Sequence, residues 1–202
     1  MEQLGLFGSE HLKLPLEYLE YHPGFITRDE GYALLEYFID SSPWQQRIRG
    51  MYDKEVITPR LSAWYGDRPD KDPIPWTPEL SAIRERVQQF TNIRFDALLL
   101  NFYRDGKDSV AWHSDRQTVP GVYTPIASIS LGQERVFDFR RKDNHRNRYG
   151  LLLEHGSLLL MKGELQRDWE HRIAKSSASM RPRINLTFRI VNPCSTNGLK
   201  QN

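Results

Sequence analysis

Arg183-Ile184-Asn185-Leu186-Thr187-Phe188-Arg189 alternates polar with apolar residues along its whole length. Successive side chains of a strand point to opposite faces, so Arg183, Asn185, Thr187 and Arg189 share one face while Ile184, Leu186 and Phe188 share the other. Either the apolar face is buried and a basic face meets solvent, or two arginines point into an interior. The second arrangement is costly unless anions meet the guanidinium groups. A dicarboxylate would supply both partners, because guanidinium binds carboxylate through two parallel hydrogen bonds. Alternation alone leaves both readings open.

Working outward from that strand, the chain from Arg94 onward breaks into short apolar or alternating runs at 97–103, 125–131, 136–140, 151–154, 157–161 and 184–191. Gly, Asp and Asn separate them and no helical period intervenes, which predicts an antiparallel sandwich or barrel. Two helices are expected before it. Thr27-Arg28-Asp29-Glu30 has the Thr-x-x-Glu form of a capping box and is followed by Leu34, Leu35 and Phe38 at near-helical spacing. Thr77-Pro78-Glu79-Leu80 puts Thr at the N-cap and Pro at the first helical position, ahead of Ile83, Val87 and Phe90. Both helices are expected to pack as amphipathic supports on the β core.

A chain of 202 residues, 39% hydrophobic, is long enough for one sizeable core, and a single domain is expected. Its mean hydropathy of -0.63 and the lack of a long apolar run exclude a membrane-spanning helix, which needs about 20 apolar residues. Residues 1–11 show neither a basic start nor a long apolar stretch, so no signal peptide is read there. Cys194 is the single cysteine, with no second thiol for a disulfide or a zinc site. These features point to a soluble intracellular protein, cytoplasmic if bacterial, with a monomer favoured and no membrane partner. The net charge of +2 conceals a gradient: residues 1–100 hold 11 Lys and Arg against 16 Asp and Glu, and residues 101–202 hold 17 against 10. The basic excess belongs to the β part, which makes that part the expected place of contact with an anion.

His113-Ser114-Asp115 places imidazole and carboxylate two residues apart, which on one strand would point them to the same side. His171, in Asp168-Trp169-Glu170-His171, is the candidate third ligand from another strand. Two histidines and one carboxylate form the facial triad of non-haem Fe(II) oxygenases, leaving three coordination positions open. A His-x-Asp pair also occurs as a surface turn or a hydrogen-bonded pair, so the pattern alone does not decide.

The order of motifs carries more. Pro59-Arg60-Leu61-Ser62-Ala63-Trp64-Tyr65-Gly66-Asp67, Asn101-Phe102-Tyr103 and His113-Ser114-Asp115 come first. Pro125-Ile126-Ala127-Ser128-Ile129-Ser130-Leu131-Gly132, Leu151-Leu152-Leu153-Glu154-His155-Gly156, His171 and the Arg183 to Arg189 strand follow. In this arrangement residues 59–191 resemble the AlkB family of Fe(II)- and 2-oxoglutarate-dependent nucleic-acid demethylases. The resemblance implies a mainly β fold with α supports: a double-stranded β-helix, or jelly roll of the cupin kind, at 94–191. Residues 1–93 would form a helical prelude and nucleotide-recognition segment, and 192–202 a tail. It further implies that His113, Asp115 and His171 bind Fe(II). Arg189 and Asn101 would meet the 2-oxoglutarate carboxylate nearer the iron, and Arg183, Tyr103 and Asn185 the distal one. His155 would be structural, in a turn. With O2 as co-substrate, the implied reaction is hydroxylation of an N-methyl group and release of formaldehyde from alkylated bases in DNA, with RNA open. A base within a duplex would have to be flipped to reach the metal. The alternative reading keeps the cofactors and takes a protein or small molecule as substrate.

Substrate contacts are expected in three places. Arg140-Arg141-Lys142, with Arg146 and Arg148, is the densest basic cluster and reads as a phosphate-binding edge. Trp64, Tyr65 and Trp112 are candidates for stacking on an extracted base, and Tyr52, beside Met51, for a wedge that fills the gap it leaves. Gln117 stands where repair members of the family often have an acidic residue, so the charge that would favour a cationic methylated base is missing. The segment 66–76 is also short and proline-rich beside the recognition lids of the family.

Overall fold

The computed structural model describes residues 17–51, 54–67 and 72–191, with side chains left aside at 47–51 and 54–56. The chain runs β1 (Leu19–His22), α1 (Arg28–Ser41), β2 (Gln45–Met51), β3 (Lys54–Gly66), α2 (Pro78–Thr91), β4 (Ala97–Tyr103) and β5 (Val110–His113). It continues through β6 (Ile126–Gly132), β7 (Arg135–Arg141), β8 (Arg148–Leu153), β9 (Leu158–Met161), α3 (Leu165–Asp168), β10 (Trp169–Ile173) and β11 (Arg183–Arg189). A seven-stranded sheet in the order β1-β9-β6-β11-β4-β3-β2 faces a four-stranded sheet in the order β5-β10-β7-β8. Neighbouring strands in both sheets pair antiparallel. This is the jelly roll expected from the short runs.

β11 lies at the centre of the large sheet, and both its faces are covered. Ile184, Leu186 and Phe188 pack with Leu98, Leu100, Phe102, Ile129 and Leu131 against Leu35 and Phe38 of α1 and Leu80, Ile83 and Val87 of α2. Its opposite face looks between the sheets, where Tyr103, Ile126, Leu159 and Met161 meet Phe137, Phe139, Trp169 and Ile173 of the small sheet. β9 reads as an unbroken apolar run for the same reason: Leu158 and Leu160 belong to the helix side, Leu159 and Met161 to the inter-sheet side. The chain passes from large sheet to small sheet at Gly132, whose φ of +88° and whose position against the Pro182 carbonyl leave no room for a Cβ.

The two helices stand where the sequence puts them, with different caps. Thr77 Oγ1 accepts from Leu80 N–H (3.3 Å), Pro78 opens α2, and Asn92 closes it in the left-handed region (φ 55°). Thr27 makes no side-chain cap on α1, so the expected capping box is absent, and Glu30 instead pairs with Arg86 of α2. Phe90, expected on the buried face of α2, is 52% exposed and sits edge-on to His22 and Phe25.

The expected helical prelude is a partial misreading. β1 pairs with β9, and the β2–β3 hairpin extends the large sheet beyond β4, so residues before 94 contribute three strands to the jelly roll. β5 and β10 are not among the short runs read as strands, although the ligand reading places His113 and His171 on strands, where they do stand. Among the described residues no helix is long and apolar enough to cross a membrane. Tyr52, Cys194 and the tail at 192–202 lie outside the described residues.

Candidate active site

Register on the large sheet aligns the polar face of β11 with its neighbours. Arg183 stands opposite Tyr103 and Gly132, Asn185 opposite Asn101 and Ser130, Thr187 opposite Leu99 and Ser128. Because directly opposite residues share a face, Arg183, Asn185, Thr187, Tyr103, Asn101, Leu99 and Ser128 line one wall of a cavity of about 380 Å³ between the sheets. Phe137, His171 and Ile173 of the small sheet line the facing wall. The arginines of β11 therefore face inward while its apolar residues fill the helix-side core, so each of the two faces left open by the sequence is a buried one.

At one end of the cavity the metal-binding atoms of His113, Asp115 and His171 all lie within 4.8 Å of one another. His113 ends β5 and stands opposite His171 of β10 in register, with ring centroids 4.4 Å apart. Asp115 is not on that strand, as the two-residue spacing suggested, but two residues past its end. Two hydrogen bonds tie the segment down: Ser114 Oγ donates to Trp169 O (2.7 Å), and Asp115 N–H donates to the buried Gln166 Oε1 (2.9 Å). His113 Nδ1 lies 2.8 Å from Ala111 O, which assigns its proton to Nδ1 and leaves the Nε2 lone pair free for a ligand.

Burial pushes the His171 imidazolium down to about 3, so the ring is neutral at ordinary pH, and burial lowers His113 as well. Burial opposes ionisation of Asp115, but the Arg189 guanidinium beside it outweighs burial and holds the carboxyl well below the usual carboxylate range. Arg189 Nη2 donates to Asp115 Oδ1 at 2.7 Å. Two neutral imidazoles and a carboxylate form a donor set suited to Fe(II). His171 Nδ1 is buried without a protein partner among the described residues.

The other end is cationic and unsatisfied. Arg183 is 1% exposed and donates one hydrogen bond, from Nη2 to Ser130 Oγ (3.0 Å), while its Nε and Nη1 have no partner among the described residues. Its guanidinium lies 5.1 Å from the centre of the Tyr103 ring, and burial pushes its pKa down to about 10. A buried guanidinium with free N–H groups facing a cavity fits an anionic ligand, the distal carboxylate of 2-oxoglutarate among them. Asn185 is engaged differently. Its amide donates to Ser128 Oγ (2.7 Å) and Ile129 O (2.9 Å), so both its N–H groups are already taken. Asn101 Oδ1 accepts from Arg60 Nε (2.8 Å), which turns its amide nitrogen away from Arg60.

The predicted substrate contacts fare unevenly. Trp64 and Tyr65 are adjacent on β3 and must point to opposite faces; Trp64 lines the cavity, whereas Tyr65, 2% exposed, is packed in the helix-side core and cannot stack on a base. Trp112 lies on the outside of the small sheet between the guanidiniums of Arg140 (4.3 Å) and Arg172 (4.5 Å). Arg140, Arg141 and Lys142 of the basic cluster are engaged within the protein: Arg140 pairs with Glu170 (2.6 Å) and Arg141 with Asp143 (2.6 Å), and Lys142 Nζ donates to the carbonyls of Gln166 and Arg167 (2.8 Å each). Gln117 is exposed and accepts from Gly121 N–H (3.3 Å). In the segment 66–76, Trp76 stacks parallel to Phe188 and under Arg84, on the helix side. His155 is in the turn expected of it, accepting from Gly132 N–H (2.8 Å) and stacked on Tyr32. Two cationic cavity residues and the residue that holds Asp115 escaped the sequence reading. Arg60 shares the alternation of Ser62 and Trp64, a signal that was there to be read; Gln166 and Arg116 carried none.

Comparison with known proteins gives this geometry a family. A family model described as the 2OG-Fe(II) oxygenase superfamily matches residues 19–189. The chain is similar to the alpha-ketoglutarate-dependent dioxygenase alkB homolog 3 of Mus musculus, 41% identical over 187 residues, which are 85% of this chain and 65% of that protein. It is also similar to the DNA oxidative demethylase ALKBH2 of Homo sapiens, 38% identical over 156 residues, covering 69% of this chain and 59% of that one. The chain thus spans just under two thirds of the length of these curated relatives. The solved structure of OsALKBH1 has the same fold, with a TM-score of 0.64 at 17% identity over 85% of this chain and 97% of the other. Since the family match runs from the first strand to the last, the chain belongs to the 2OG-Fe(II) oxygenase superfamily, with relatives of the AlkB type.

Proposed function

We propose that the protein is an Fe(II)- and 2-oxoglutarate-dependent dioxygenase, a single domain that oxidatively demethylates N-alkylated bases in DNA or RNA. The observation that carries this reading is the cavity itself: a neutral-imidazole and carboxylate triad at one end and an unpartnered buried guanidinium at the other. The names of the relatives, an AlkB homologue and a DNA oxidative demethylase, supply the substrate class.

His113 offers Nε2, His171 an imidazole and Asp115 a carboxylate oxygen to Fe(II). Arg189 keeps Asp115 ionised and oriented through their hydrogen bond. Arg183 and Tyr103 would hold the distal carboxylate of 2-oxoglutarate, and Asn101 and Arg189 would hold its other carboxylate. Bound Fe(II) and 2-oxoglutarate, with O2, supply the oxidising chemistry by which an N-methyl carbon is hydroxylated and leaves as formaldehyde. The chain's own contribution is to orient these groups and exclude water with the apolar wall of Phe137, Leu153, Met161 and Ile173. Trp64 stands at the cavity as the stacking surface for a base taken out of its strand.

The test is turnover with defined oligonucleotides carrying single N-methylated bases, using protein purified anaerobically and supplied with Fe(II), ascorbate, 2-oxoglutarate and O2. Formaldehyde release matched to succinate formation is the expected result. Consumption of 2-oxoglutarate with no repair of any strand would move the substrate to a protein or small molecule.

A further inference from the structure

The charge of the cavity is lopsided. Its lining holds four guanidinium groups, Arg60, Arg116, Arg183 and Arg189, against one carboxylate, Asp115. Under the reading above, Arg183 is taken by the co-substrate and Arg189 by Asp115. That leaves Arg60 and Arg116 to face whatever enters beside the metal.

Both line the cavity, Arg60 half-buried and Arg116 exposed. Arg60 is fixed by donation from Nε to Asn101 Oδ1 (2.8 Å) and from Nη1 to Ser109 O (3.4 Å), while its Nη2 bonds no described residue. Arg116 follows Asp115 directly and has no hydrogen-bond or ion-pair partner among the described residues. Gln117, the next residue, brings no charge and spends its carbonyl on Gly121. Among the described residues lining the cavity, no carboxylate other than Asp115 is available to a base.

We propose that this cavity selects charge-neutral N-methylated bases whose methylated nitrogen is flanked by carbonyl oxygens, with Arg116 and Arg60 as the specificity-determining residues. The inference rests on the nucleic-acid reading above and narrows it to a lesion class. Two physical arguments carry it. A cationic methylated adenine or cytosine enters a site whose free charges are positive, and like charges in a partly desolvated cavity repel. Guanidinium groups only donate hydrogen bonds, so they satisfy both carbonyl oxygens that flank the methylated nitrogen of 3-methylthymine and leave the amino groups of 1-methyladenine or 3-methylcytosine facing other donors.

The discriminating pair is 3-methylthymine and 3-methylcytosine, pyrimidines of similar shape that differ in charge, in the oxygen or nitrogen on C4 and in the C5 methyl group of thymine. They would be placed singly in otherwise identical single-stranded oligonucleotides. Two quantities are compared: kcat/KM with Fe(II), 2-oxoglutarate and O2, and equilibrium binding to the protein loaded with Mn(II) and 2-oxoglutarate without turnover. A preference of about tenfold or more for the 3-methylthymine strand is expected in both. Arg116→Glu should shift the ratio toward 3-methylcytosine by about tenfold or more, with metal retention and thermal midpoint reporting that the variant is folded. Equal use of the two strands, or preference for 3-methylcytosine, would overturn the selectivity and leave demethylation standing. An unshifted ratio in the folded Arg116→Glu protein removes Arg116 as its source. If neither strand is bound or repaired while 2-oxoglutarate is still consumed, both the selectivity and the nucleic-acid reading fall together.

Discussion

Arg140 and Arg183 belong to opposite sheets and have opposite surroundings. On the outside of the small sheet Arg140 meets Glu170 across the β7–β10 pair, and Arg172 meets Asp138 (2.7 Å) two register positions along. Trp112 lies against both arginines. On the inside of the large sheet Arg183 has a single serine hydroxyl and two unengaged nitrogens. The first region looked functional in the sequence because its charges are dense. Density is what allows them to neutralise one another across adjacent strands. The second region carries fewer charges with no protein counterion, and a buried charge without a partner is the stronger sign of a missing ligand.

That contrast can be broken or sharpened by substitution. The largest effect is expected at the triad: His171→Ala should abolish iron retention, measured by metal analysis, and turnover with it, because two remaining donors do not make a facial triad. Turnover at the wild-type rate would remove His171 from the ligand set. Arg183→Met comes next and should raise the KM for 2-oxoglutarate about a hundredfold. In the ligand-free protein the same change should leave the thermal midpoint unchanged or higher, since it removes an unpartnered buried charge. A midpoint that falls steeply would mean that Arg183 is structural.

Smaller effects are expected where charges are paired. Asp108, 4% exposed, accepts from Arg104 N–H (2.9 Å), Nε (2.8 Å) and Nη2 (2.9 Å). Burial alone would raise its pKa, but the Arg104 hydrogen bonds outweigh burial and the carboxyl is held below its ordinary value. A depressed folded pKa stabilises the fold above the unfolded value of about 3.9 and ceases to do so as pH falls through the folded value. Asp108→Asn should therefore cost about 2 kcal/mol in denaturant unfolding at pH 7, with the difference from wild type shrinking below about pH 4. A pH-independent difference would point to packing instead. The smallest effect belongs to the outer ladder: Arg140→Gln should lower stability by about 1 kcal/mol or less and leave the KM for 2-oxoglutarate unmoved. A marked rise in the KM for the oligonucleotide would restore Arg140 to the phosphate-binding edge.

Much of the site was legible because its signals are local. His113 and Asp115 are two residues apart, and the residues of β4 and β11 that meet in register each alternate within one strand. Gln166 was illegible. It reaches Asp115 N–H across 51 residues of chain from a short helix, and its own neighbours show no pattern that announces the contact. The early strands were missed for a related reason: β1 gains its partners from β9, far along the chain, and its four residues carry too little periodicity to stand alone. The choice between Trp64 and Tyr65 needed only the knowledge that they lie on a strand, for alternation then allows one of them into the cavity and sends the other to the core.

By itself the sequence determined the period of each element, the capped start of α2, the ordered set of ligand-type side chains, and the two-faced character of Arg183 to Arg189. Period and residue type are properties of a few consecutive residues, and backbone geometry turns them directly into faces. Tertiary structure alone decided which face is which, and which charges are spent. A second sheet had to close over β11 before its arginines became buried, and β7 had to pair with β10 before Arg140 found Glu170. Burial and ion pairing depend on what the rest of the chain brings within a few ångströms, and that information is not carried by any one segment.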